Sequence, residues 1–319
     1  MTTISLIVCT LNRATSLDGA LRHFALAIGT RRNIEVVVID NGSADNTKDV
    51  LVQWAGSVSF PVKYAYVGTK GLSVARNVAI SASSGDLLVF TDDDCHMDRD
   101  FFTCMERHYE GDTVPVMRGG RVELGDPSDM PFTIKTDIVP EQMNDVHFPG
   151  GFVIGANMVI PRAIIEDVGL FDERFGAGAY LKAAEDTDYI HRVYRKGYKV
   201  EYQPDFLVHH FHGRKTLDEI KKLHEQYNIG NGALYAKHCT DLKLLRHFYW
   251  DCRKAVKGVA PHEGIDLSSR AVVVGNIKGV FKYAYLSVRA YGRRIRTVMR
   301  HAPAGEEVVL QFGPQLHAA

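Results

Sequence analysis

The sequence is poor in cysteine, in long apolar runs and in net charge, and each shortage excludes a class of protein. Its 5 cysteines are scattered and odd in number, and no two form a Cys-x-x-Cys pair. We therefore expect reduced thiols that serve packing, as in cytosolic proteins. No apolar run reaches the roughly 18 residues that a membrane span needs. The 38 basic and 38 acidic residues cancel to zero net charge, which argues against a nucleic-acid-binding protein.

The amino terminus lacks the basic region that opens a signal peptide, and its apolar run turns polar at Thr10. We therefore expect a strand at this end and a cytoplasmic protein. With 319 residues, 45% hydrophobic and 24% charged, the chain has the composition of an ordinary globular protein. At roughly 150 residues per domain, this length predicts about two domains, or one large α/β domain with an appendage.

Strands and helices alternate in the first hundred residues. Apolar, β-rich runs occupy residues 3–10, 34–40, 62–67 and 86–90, and helical patterns separate them. Because these runs are apolar almost throughout, they predict a parallel sheet that helices bury on both faces. The predicted fold class is therefore α/β, with a doubly wound, mostly parallel sheet. In such sheets, ligands bind outside the carboxyl ends of the strands.

The pattern loosens after a helix near residues 99–109, and residues 125–151 predict a long loop, which is usual for functional or mobile segments. The elements predicted beyond it are, in chain order, regular structure at 152–160, a short helix after Pro161, a helix over 184–196, strands near 199–202 and 206–210, and a helical tail after Gly213. A capping box from Thr216 to Glu219 marks the start of that tail.

Polar side chains stand at the carboxyl ends of the predicted strands. They are Thr10, Asn12 and Arg13 after the first strand, Asp40 at the end of the second, and Asp92, Asp93 and Asp94 after the fourth. Three consecutive carboxylates repel one another unless they are solvated or bound to a cation, and a divalent metal is their natural partner. Strand alternation places Asp92 and Asp94 on one face and Asp93 on the other. The alternative is an acidic turn that caps the helix near Asp98.

Six short motifs follow one another along the chain: Thr10-Leu-Asn-Arg13, Asp40-Asn-Gly-Ser43, Gly71-Leu-Ser-Val-Ala-Arg76, Asp92-Asp93-Asp94, Phe171-Asp172-Glu173 and Ala184-Glu185-Asp186-Thr-Asp188. Their order and spacing resemble those of the inverting family-2 glycosyltransferases with the GT-A fold. Each is weak alone, but their combination is specific. The resemblance covers residues 3–214. It implies a Rossmann-like sheet with a nucleotide-sugar-binding half at 1–95 and an acceptor-binding half at 96–214. Residues 215–319 would form a helical extension.

The resemblance implies a donor site for a nucleotide-diphosphate sugar. Asp40 and Asp92 would lie where uracil and its ribose bind, which favours a UDP-sugar. The segment from Gly71 to Arg76 would face the donor phosphates, whose oxygens suit a guanidinium fork. The remaining donor-site residues are Thr10, Asn12, Arg13 and Asp93. The plainer alternatives are a turn-capping role for Asp40 and a solvated helix position for Arg76.

The resemblance also implies that Asp94 holds Mn²⁺ or Mg²⁺, with Asp92 near the ribose or in the outer shell. His210 and His212 fall on one face where the sheet ends, and two imidazoles at that spacing can complete a metal site. In the family a histidine of this region contacts the metal or the pyrophosphate, and the extra histidines leave its register open. A structural role for these histidines is the alternative.

Glu185 and Asp186 open a predicted helix, where the helix dipole alone favours carboxylates. The resemblance implies instead that one of them removes the proton from the attacking hydroxyl group. The family pattern favours Asp186 as this base, with Glu185 orienting the acceptor.

The last hundred residues lie outside the resemblance. No acidic residue occurs between Asp266 and Glu306. At about 100° per residue, a basic arc holds Lys278, Lys282, Arg289, Arg293, Arg296 and Arg300, and an adjacent apolar arc holds Ile277, Phe281, Ala284, Val288, Ile295 and Met299. Residues 277–300 therefore predict a basic amphipathic helix. It either packs its apolar stripe on the catalytic domain or binds anionic lipid at the inner face of a membrane.

The predicted function is metal-dependent, inverting transfer of a sugar from a UDP-sugar to a hydroxyl of a glycan, lipid-linked or other acceptor, in one displacement. One alternative is a sugar-1-phosphate nucleotidyltransferase, which needs a Gly-rich basic loop after the first strand, where this chain has no glycine. Another is a catalytically silent GT-A binding module, against which the carboxylates at Asp92 and Asp186 argue. A dehydrogenase is disfavoured because no Gly-x-Gly-x-x-Gly follows any strand.

Overall fold

The computed structural model describes residues 2–257, 268–297 and 309–312, with side chains described through residue 289. The strands are β1 (Ile4–Thr10), β2 (Ile34–Asp40), β3 (Val62–Tyr66), β4 (Leu87–Asp92), β5 (Cys95–Met97), β6 (Val116–Leu124), β7 (Glu141–Gln142), β8 (Asn157–Pro161), β9 (Lys199–His210) and β10 (Val309–Phe312). The helices are α1 (Ala14–Ile28), α2 (Thr47–Ala55), α3 (Leu72–Ala82), α4 (Phe101–Tyr109), α5 (Arg162–Val168), α6 (Glu185–Arg195), α7 (Leu217–Lys237), α8 (Leu242–Lys257) and α9 (Ser269–Thr297).

These strands form one mixed sheet in the order β10-β3-β2-β1-β4-β8-β6-β9-β5, with β7 alongside β9. Strands β1 to β4 run parallel, as their apolar runs predict. Beyond β4, strand β8 is antiparallel to both of its neighbours, and β6 pairs with β9 in parallel. The predicted α/β class, with a mostly parallel sheet flanked by helices and a helical extension, is confirmed.

Alternate residues of β1 and β2 bury opposite faces of the sheet. Leu6 and Val36 lie in a core that α1 covers, whereas Ile7 and Val37 lie in a core that α3 and α6 cover. Each fully buried aliphatic side chain contributes about 1.5–3 kcal/mol. The two apolar faces therefore fix the strands between helix layers, and polar residues are left at the strand ends.

The second half of the sheet differs from the sequence expectation. The predicted strands near 199–202 and 206–210 are one strand, β9, interrupted by a bulge: Gly120 pairs with Gln203, but the next residue, Arg121, pairs with Leu207. Strands β5 and β6 were not predicted. A Cβ at Gly120 would lie 2.1 Å from the Phe206 carbonyl oxygen, so β6 needs glycine at the bulge. The predicted long loop at 125–151 contains only the two-residue strand β7 in regular form.

Helix α9 packs on α7 through small residues rather than through its apolar arc. A Cβ at Gly279 would lie 2.0 Å from the Ile229 carbonyl oxygen, and one at Gly232 would lie 1.9 Å from the Asn276 carbonyl oxygen. Because the two backbones approach so closely, this face of α9 is the buried one.

The apolar arc of α9 faces away from α7, and its Phe281 is 71% exposed. The packing alternative is therefore wrong for the described side chains, and the predictions for Arg293, Ile295, Arg296, Met299 and Arg300 lie outside them. Among the residues that the structure describes, no helix is both long and apolar enough to span a bilayer.

Candidate active site

The strand register brings the ends of three strands together. Thr10 of β1 pairs with Asp40 of β2, and the preceding residue, Cys9, pairs with Asp92 of β4. Because these strands are parallel, their carboxyl ends lie at the same edge of the sheet. The polar residues predicted at these ends therefore lie together at that edge.

Two of the three consecutive aspartates belong to a group of potential metal ligands. The group consists of Asp92, Asp94, Cys95 and His210, whose ligand atoms all lie within 4.8 Å of one another. Strand pairing explains the histidine, because Cys95 of β5 lies opposite His210 of β9. The metal-site prediction for Asp92, Asp94 and His210 thus rests on residues that the fold brings together.

The chemistry of this group fits Mn²⁺ or Mg²⁺. Oδ1 of Asp94 is buried and lies 3.3 Å from Nε2 of His210. Nδ1 of His210 lies 3.4 Å from the Thr133 carbonyl oxygen, and the neutral tautomer that donates there has its Nε2 lone pair available to an ion. Burial raises the pKa of the Cys95 thiol well above its ordinary value, so the hard carboxylates are the charged ligands.

Arg13 and Thr10 contact the aspartate turn, and their predicted donor-binding role stays a prediction. Thr10 Oγ1 donates to Asp93 Oδ2 at 2.6 Å, and Arg13 Nε lies 3.4 Å from Asp93 Oδ1. The Arg13 guanidinium also pairs with Asp94. Burial raises the pKa of Asp93 to about 7, although Arg13 and Thr10 favour its charged form. Asp93 therefore braces β4 against β1 and is not part of the potential metal-ligand group.

Asp40 and Asn12 form the turn beside this edge. Asp40 Oδ1 accepts from the Ser43 N–H at 2.7 Å, and its Oδ2 accepts from the Tyr64 hydroxyl at 3.2 Å. Asn12, at φ +54°, accepts from the Ala44 N–H through Oδ1 at 2.7 Å. These contacts are those of a residue that caps the turn, which is the alternative given for Asp40. Its donor-binding role stays a prediction.

Gly71 immediately precedes α3 at the same edge. Its φ of +146° is a conformation that side chains disfavour, and its N–H donates to Asn41 Oδ1 at 2.8 Å. The next residue, Leu72, donates its N–H to the Ala177 carbonyl oxygen at 2.9 Å. The segment predicted to face donor phosphates is therefore fixed between the β2 turn and the Gly-rich loop that precedes α6.

Arg76 is buried, which contradicts the alternative of a solvated helix position. Its Nη1 lies 3.1 Å from Glu185 Oε1, and its Nη2 lies 3.9 Å from Asp92 Oδ1. The guanidinium carbon also lies 5.5 Å from the centroid of the Phe171 ring. Arg76 therefore connects the strand-end carboxylates to the start of α6.

Glu185 and Asp186 occupy the first turn of α6, which follows Ala184 in a left-handed conformation. Asp186 Oδ2 accepts from the Gly155 N–H at 3.2 Å, and its Oδ1 accepts from the Thr187 N–H at 2.6 Å. The Asp186 side chain remains partly exposed, whereas Glu185 is buried. Burial and the adjacent Asp186 raise the pKa of Glu185 to about 7, although Arg76 acts to lower it.

His212 does not join the potential metal ligands. Its Nε2 lies 3.2 Å from the Met130 carbonyl oxygen, and its Nδ1 accepts from the Arg214 N–H at 3.0 Å. Both ring nitrogens are thus used by the backbone, and this corrects the expectation that His212 ligates the metal. His212 therefore has the structural role that was the alternative.

A cavity of about 590 Å³ opens next to the α6 carboxylates. Glu185 and Asp186 line it together with the long loop, α7 and α8. Its volume falls within the usual range of small-molecule sites, about 300–1,000 Å³.

Sequence reasoning missed three contributions to this region. A Cβ at Gly155 would lie 2.8 Å from Arg76 Nη2 and 3.2 Å from Asp186 Oδ2, so a side chain there would crowd both groups. Asn41 positions Gly71, and Asp251 lines the cavity from α8. The Asp-Asn-Gly turn was a visible signal for Asn41, but nothing local to Gly155 or Asp251 indicates a site.

Comparison with known proteins identifies the family. Residues 5–169 match the family model described as Glycosyl transferase family 2. The chain is 24% identical over 246 residues to the glycosyltransferase AglE of Haloferax volcanii, a match that covers 77% of each chain.

Two solved structures share the fold. The mannosyltransferase PcManGT from Pyrobaculum calidifontis, in complex with GDP-Man and Mn²⁺, matches with a TM-score of 0.58 and 16% identity over 94% of this chain and 81% of that one. S. aureus TarS 1–349 in complex with UDP-GlcNAc matches with a TM-score of 0.54 and 14% identity over 92% of each chain. The sheet is therefore of the GT-A type. Because the family model covers just over half of the sequence, the chain is a glycosyltransferase and belongs to glycosyl transferase family 2.

Proposed function

We propose that the chain transfers a sugar from a UDP-sugar to a hydroxyl of a glycan or lipid-linked acceptor, with inversion and with the help of a divalent cation. The observation that carries this proposal is the position of Arg76 between Asp92 and Glu185, at 3.9 and 3.1 Å. The donor diphosphate would then leave on one side of the Arg76 guanidinium, and the acceptor would be deprotonated on the other side. Residues 1–95 bind the donor in this proposal, and residues 96–214 bind the acceptor.

Asp94, Asp92 and His210 would hold Mn²⁺ or Mg²⁺. The buried contact between Asp94 Oδ1 and His210 Nε2, at 3.3 Å, supports this assignment, because both atoms are potential ligands of one ion. When bound, the cation neutralises charge on the diphosphate as it leaves and aligns it for displacement. The complex of PcManGT with Mn²⁺ shows that a protein of this fold binds such an ion.

The uridine assignment depends on Asp40 and Asp92 at neighbouring strand ends. The fold alone does not select the base, since PcManGT was solved with GDP-Man and TarS with UDP-GlcNAc. We assign uracil to the Asp40 side of the edge, where the N–H of the base would compete with the Tyr64 hydroxyl for Oδ2.

Asp186 is the proposed base. Its carboxylate is partly exposed, lines the cavity and has no ion pair in the described part of the chain, whereas Glu185 is held by Arg76. As the acceptor oxygen attacks the anomeric carbon, its proton passes to Asp186 and the bond from that carbon to the diphosphate oxygen breaks. The nucleoside diphosphate leaves with the bonding electron pair. Proton transfer accompanies attack because the hydroxyl becomes acidic only as the new bond forms.

For the location, we propose a cytoplasmic enzyme that binds peripherally to the inner face of a membrane through residues 277–300. Phe281 and Val288 are 71% and 72% exposed, and Lys278 and Lys282 flank them on the same helix. An exposed apolar stripe beside lysines suits an anionic bilayer surface.

The Gly-rich loop before α6 adjoins this stripe. Lys282 Nζ lies 4.7 Å from the centroid of the Tyr180 ring, and the rings of Tyr180 and Tyr285 are 6.3 Å apart. The same loop accepts the N–H of Leu72. A bilayer on the stripe would therefore adjoin the loop that connects the proposed donor and acceptor sites, where a lipid-linked acceptor can enter.

A donor screen with the purified chain tests the reaction class. UDP-GlcNAc, UDP-glucose, GDP-mannose and dTDP-glucose are each supplied with Mn²⁺, and thermal stabilisation and slow donor hydrolysis are measured. We expect UDP-sugars to give the largest responses and Asp94→Asn to lose them. Tighter binding of GDP or dTDP than of UDP would overturn the uridine assignment alone. A chain that binds and hydrolyses none of these donors would contradict the proposed transferase activity.

A further inference from the structure

Helix α8 presents polar side chains to the cavity beside Asp186. His247, Asp251 and Lys254 all line the cavity, and their i, i+4, i+7 spacing places them on one face of the helix. This face lies beside the apolar face formed by Leu244, Leu245 and Phe248, which pack in the core. We call the three polar residues, together with Tyr235 of α7, the α8 wall. All four lie outside the segment that matches the family model.

The α8 wall holds one acidic residue, Asp251, and one basic residue, Lys254, whose opposite charges leave it with little net charge. Tyr235 donates its hydroxyl hydrogen bond to Asp251, and Lys254 is near enough to favour the charged form of that carboxylate. Burial nevertheless raises the pKa of Asp251 above its ordinary value. A partly desolvated carboxylate that faces a cavity has acceptor capacity to offer to ligand hydroxyls.

Aromatic rings line the same cavity. Phe132 and Tyr227 are stacked at 5.9 Å with an angle of 17° between their planes, and both line the cavity. Phe148, which also lines it, lies 5.4 Å from the His247 ring and 6.2 Å from the Tyr235 ring. Flat apolar surfaces beside a few placed polar groups suit the two faces of a sugar ring, which offer C–H groups on one side and hydroxyls at the edge.

We propose that the α8 wall adds an acceptor-recognition site to residues 96–214, and that it binds a neutral saccharide next to the hydroxyl that Asp186 deprotonates. Asp251 and Lys254 bind vicinal hydroxyls of this saccharide, and the aromatic rings contact its apolar faces. A neutral ligand is favoured because the charges of the Asp251 carboxylate and the Lys254 ammonium group cancel. This inference rests on the proposed transferase function, since it names the acceptor of the same site.

Saturation-transfer NMR with the full chain, UDP and Mn²⁺ tests the proposal directly. The probes are cellobiose, maltose, lactose and N,N′-diacetylchitobiose, with glucuronic acid and glucose 1-phosphate as acidic competitors. We expect saturation of at least one neutral disaccharide, and its loss in Asp251→Asn and Lys254→Gln. No saturation of any neutral probe, or preference for the acidic ones, would overturn the proposal.

The matched control is Arg253→Gln. Arg253 neighbours Lys254 in sequence, but its guanidinium carbon lies 5.0 Å from the centroid of the exposed Trp250 ring. With the best probe as acceptor, Asp251→Asn should raise the acceptor KM about tenfold or more relative to the native chain. The control should match the native chain, and melting temperatures confirm folding of each variant.

The two proposals fail in different ways. If the native chain hydrolyses UDP-sugars but Asp251→Asn and Lys254→Gln leave the acceptor KM unchanged, the α8 wall is not the acceptor site and the transferase assignment stands. Tyr235→Phe removes the hydroxyl that contacts Asp251 and should raise the KM in the same direction. If the native chain neither binds nor hydrolyses any donor, the proposed function itself fails.

Discussion

Nη1 of Arg76 lies 3.1 Å from Oε1 of Glu185, so a buried cation of α3 is paired with a buried carboxylate of α6. Arg76 acts to lower the pKa of Glu185 against the larger effect of burial, and Glu185 in turn favours the charged form of Arg76. The pair ties the helix that carries Asp186 to the sheet edge that carries Asp92. The pair is therefore one of the contacts that join the two halves of the candidate site.

Removing Arg76 should destabilise the chain through this pair. In Arg76→Gln the Glu185 carboxylate is left buried without its cation, which costs about 3–5 kcal/mol of unfolding free energy. The double variant Arg76→Gln/Glu185→Gln removes both charges and should recover part of that loss. Urea unfolding at pH 8 measures both. An Arg76→Gln variant as stable as the native chain would contradict the role given to the pair.

Asp94→Asn should weaken cation binding. The substitution keeps the shape of the side chain but removes the carboxylate charge from the potential metal-ligand group, so Mn²⁺ affinity should fall about tenfold or more. Calorimetric titration of the chain with MnCl₂ and UDP measures the change, and Asp98→Asn, outside the potential metal-ligand group, is the control. Unchanged Mn²⁺ affinity in Asp94→Asn, or full activity in EDTA, would remove Asp94 from the metal site.

Asp188 should make the stability of the chain depend on pH. It is fully buried and contacts Lys237, His238 and Arg192. Burial acts to raise its pKa, but these contacts lower it from 3.8 to about 2. Because the folded-state pKa lies below the ordinary value, the stabilisation is fully present above about pH 4 and is lost as the pH falls towards 2.

The corresponding variant is Asp188→Asn. It should lose about 2 kcal/mol of unfolding free energy at pH 7, and about half as much at pH 3. Denaturant titrations at both values measure this difference, with Asp218→Asn, on the exposed side of α7, as the control. A loss that is equal at the two pH values would show that charge is not the source of the stabilisation.

The exposed stripe of α9 should bind anionic membranes. Each basic residue near such a surface contributes about 1 kcal/mol, and salt screens the attraction. In liposome co-sedimentation, binding should increase with phosphatidylserine content, decrease with salt and fall in Phe281→Asp. The control Val114→Asp changes an exposed apolar residue of the loop before β6. Absence of binding to anionic vesicles at low salt would overturn the membrane proposal.

The sequence was most informative where burial on both faces leaves a continuous apolar run. Strands β1 to β4 were predicted for this reason, and the residues at their ends meet at one edge because parallel strands end together. Strand β6 was missed because Gly119 and Gly120 interrupt its apolar pattern. Glycine is needed at these two positions because Val153 and Phe206 approach the backbone too closely for a side chain.

Side-chain partners were the harder part of the site. His210 and His212 are two residues apart, yet His210 faces Asp94 while both nitrogens of His212 are taken by the backbone of Met130 and Arg214. The face that α9 buries was left open between two alternatives. Amphipathic spacing favoured the apolar arc, but the close approach at Gly279 decided the packing, and that depends on α7.

Replacement of Asp186 by asparagine tests the central claim most directly. With a UDP-sugar, Mn²⁺ and a transferable acceptor, we expect Asp186→Asn to lower the rate of transfer about 10²-fold or more while donor affinity changes little, because the variant keeps the shape but loses the basic oxygen. Glu185→Gln should be the milder change, and the product of the native chain should have inverted anomeric configuration by ¹H NMR. Normal transfer by Asp186→Asn beside an inactive Glu185→Gln would reverse the two roles, and full activity of both variants would contradict the site.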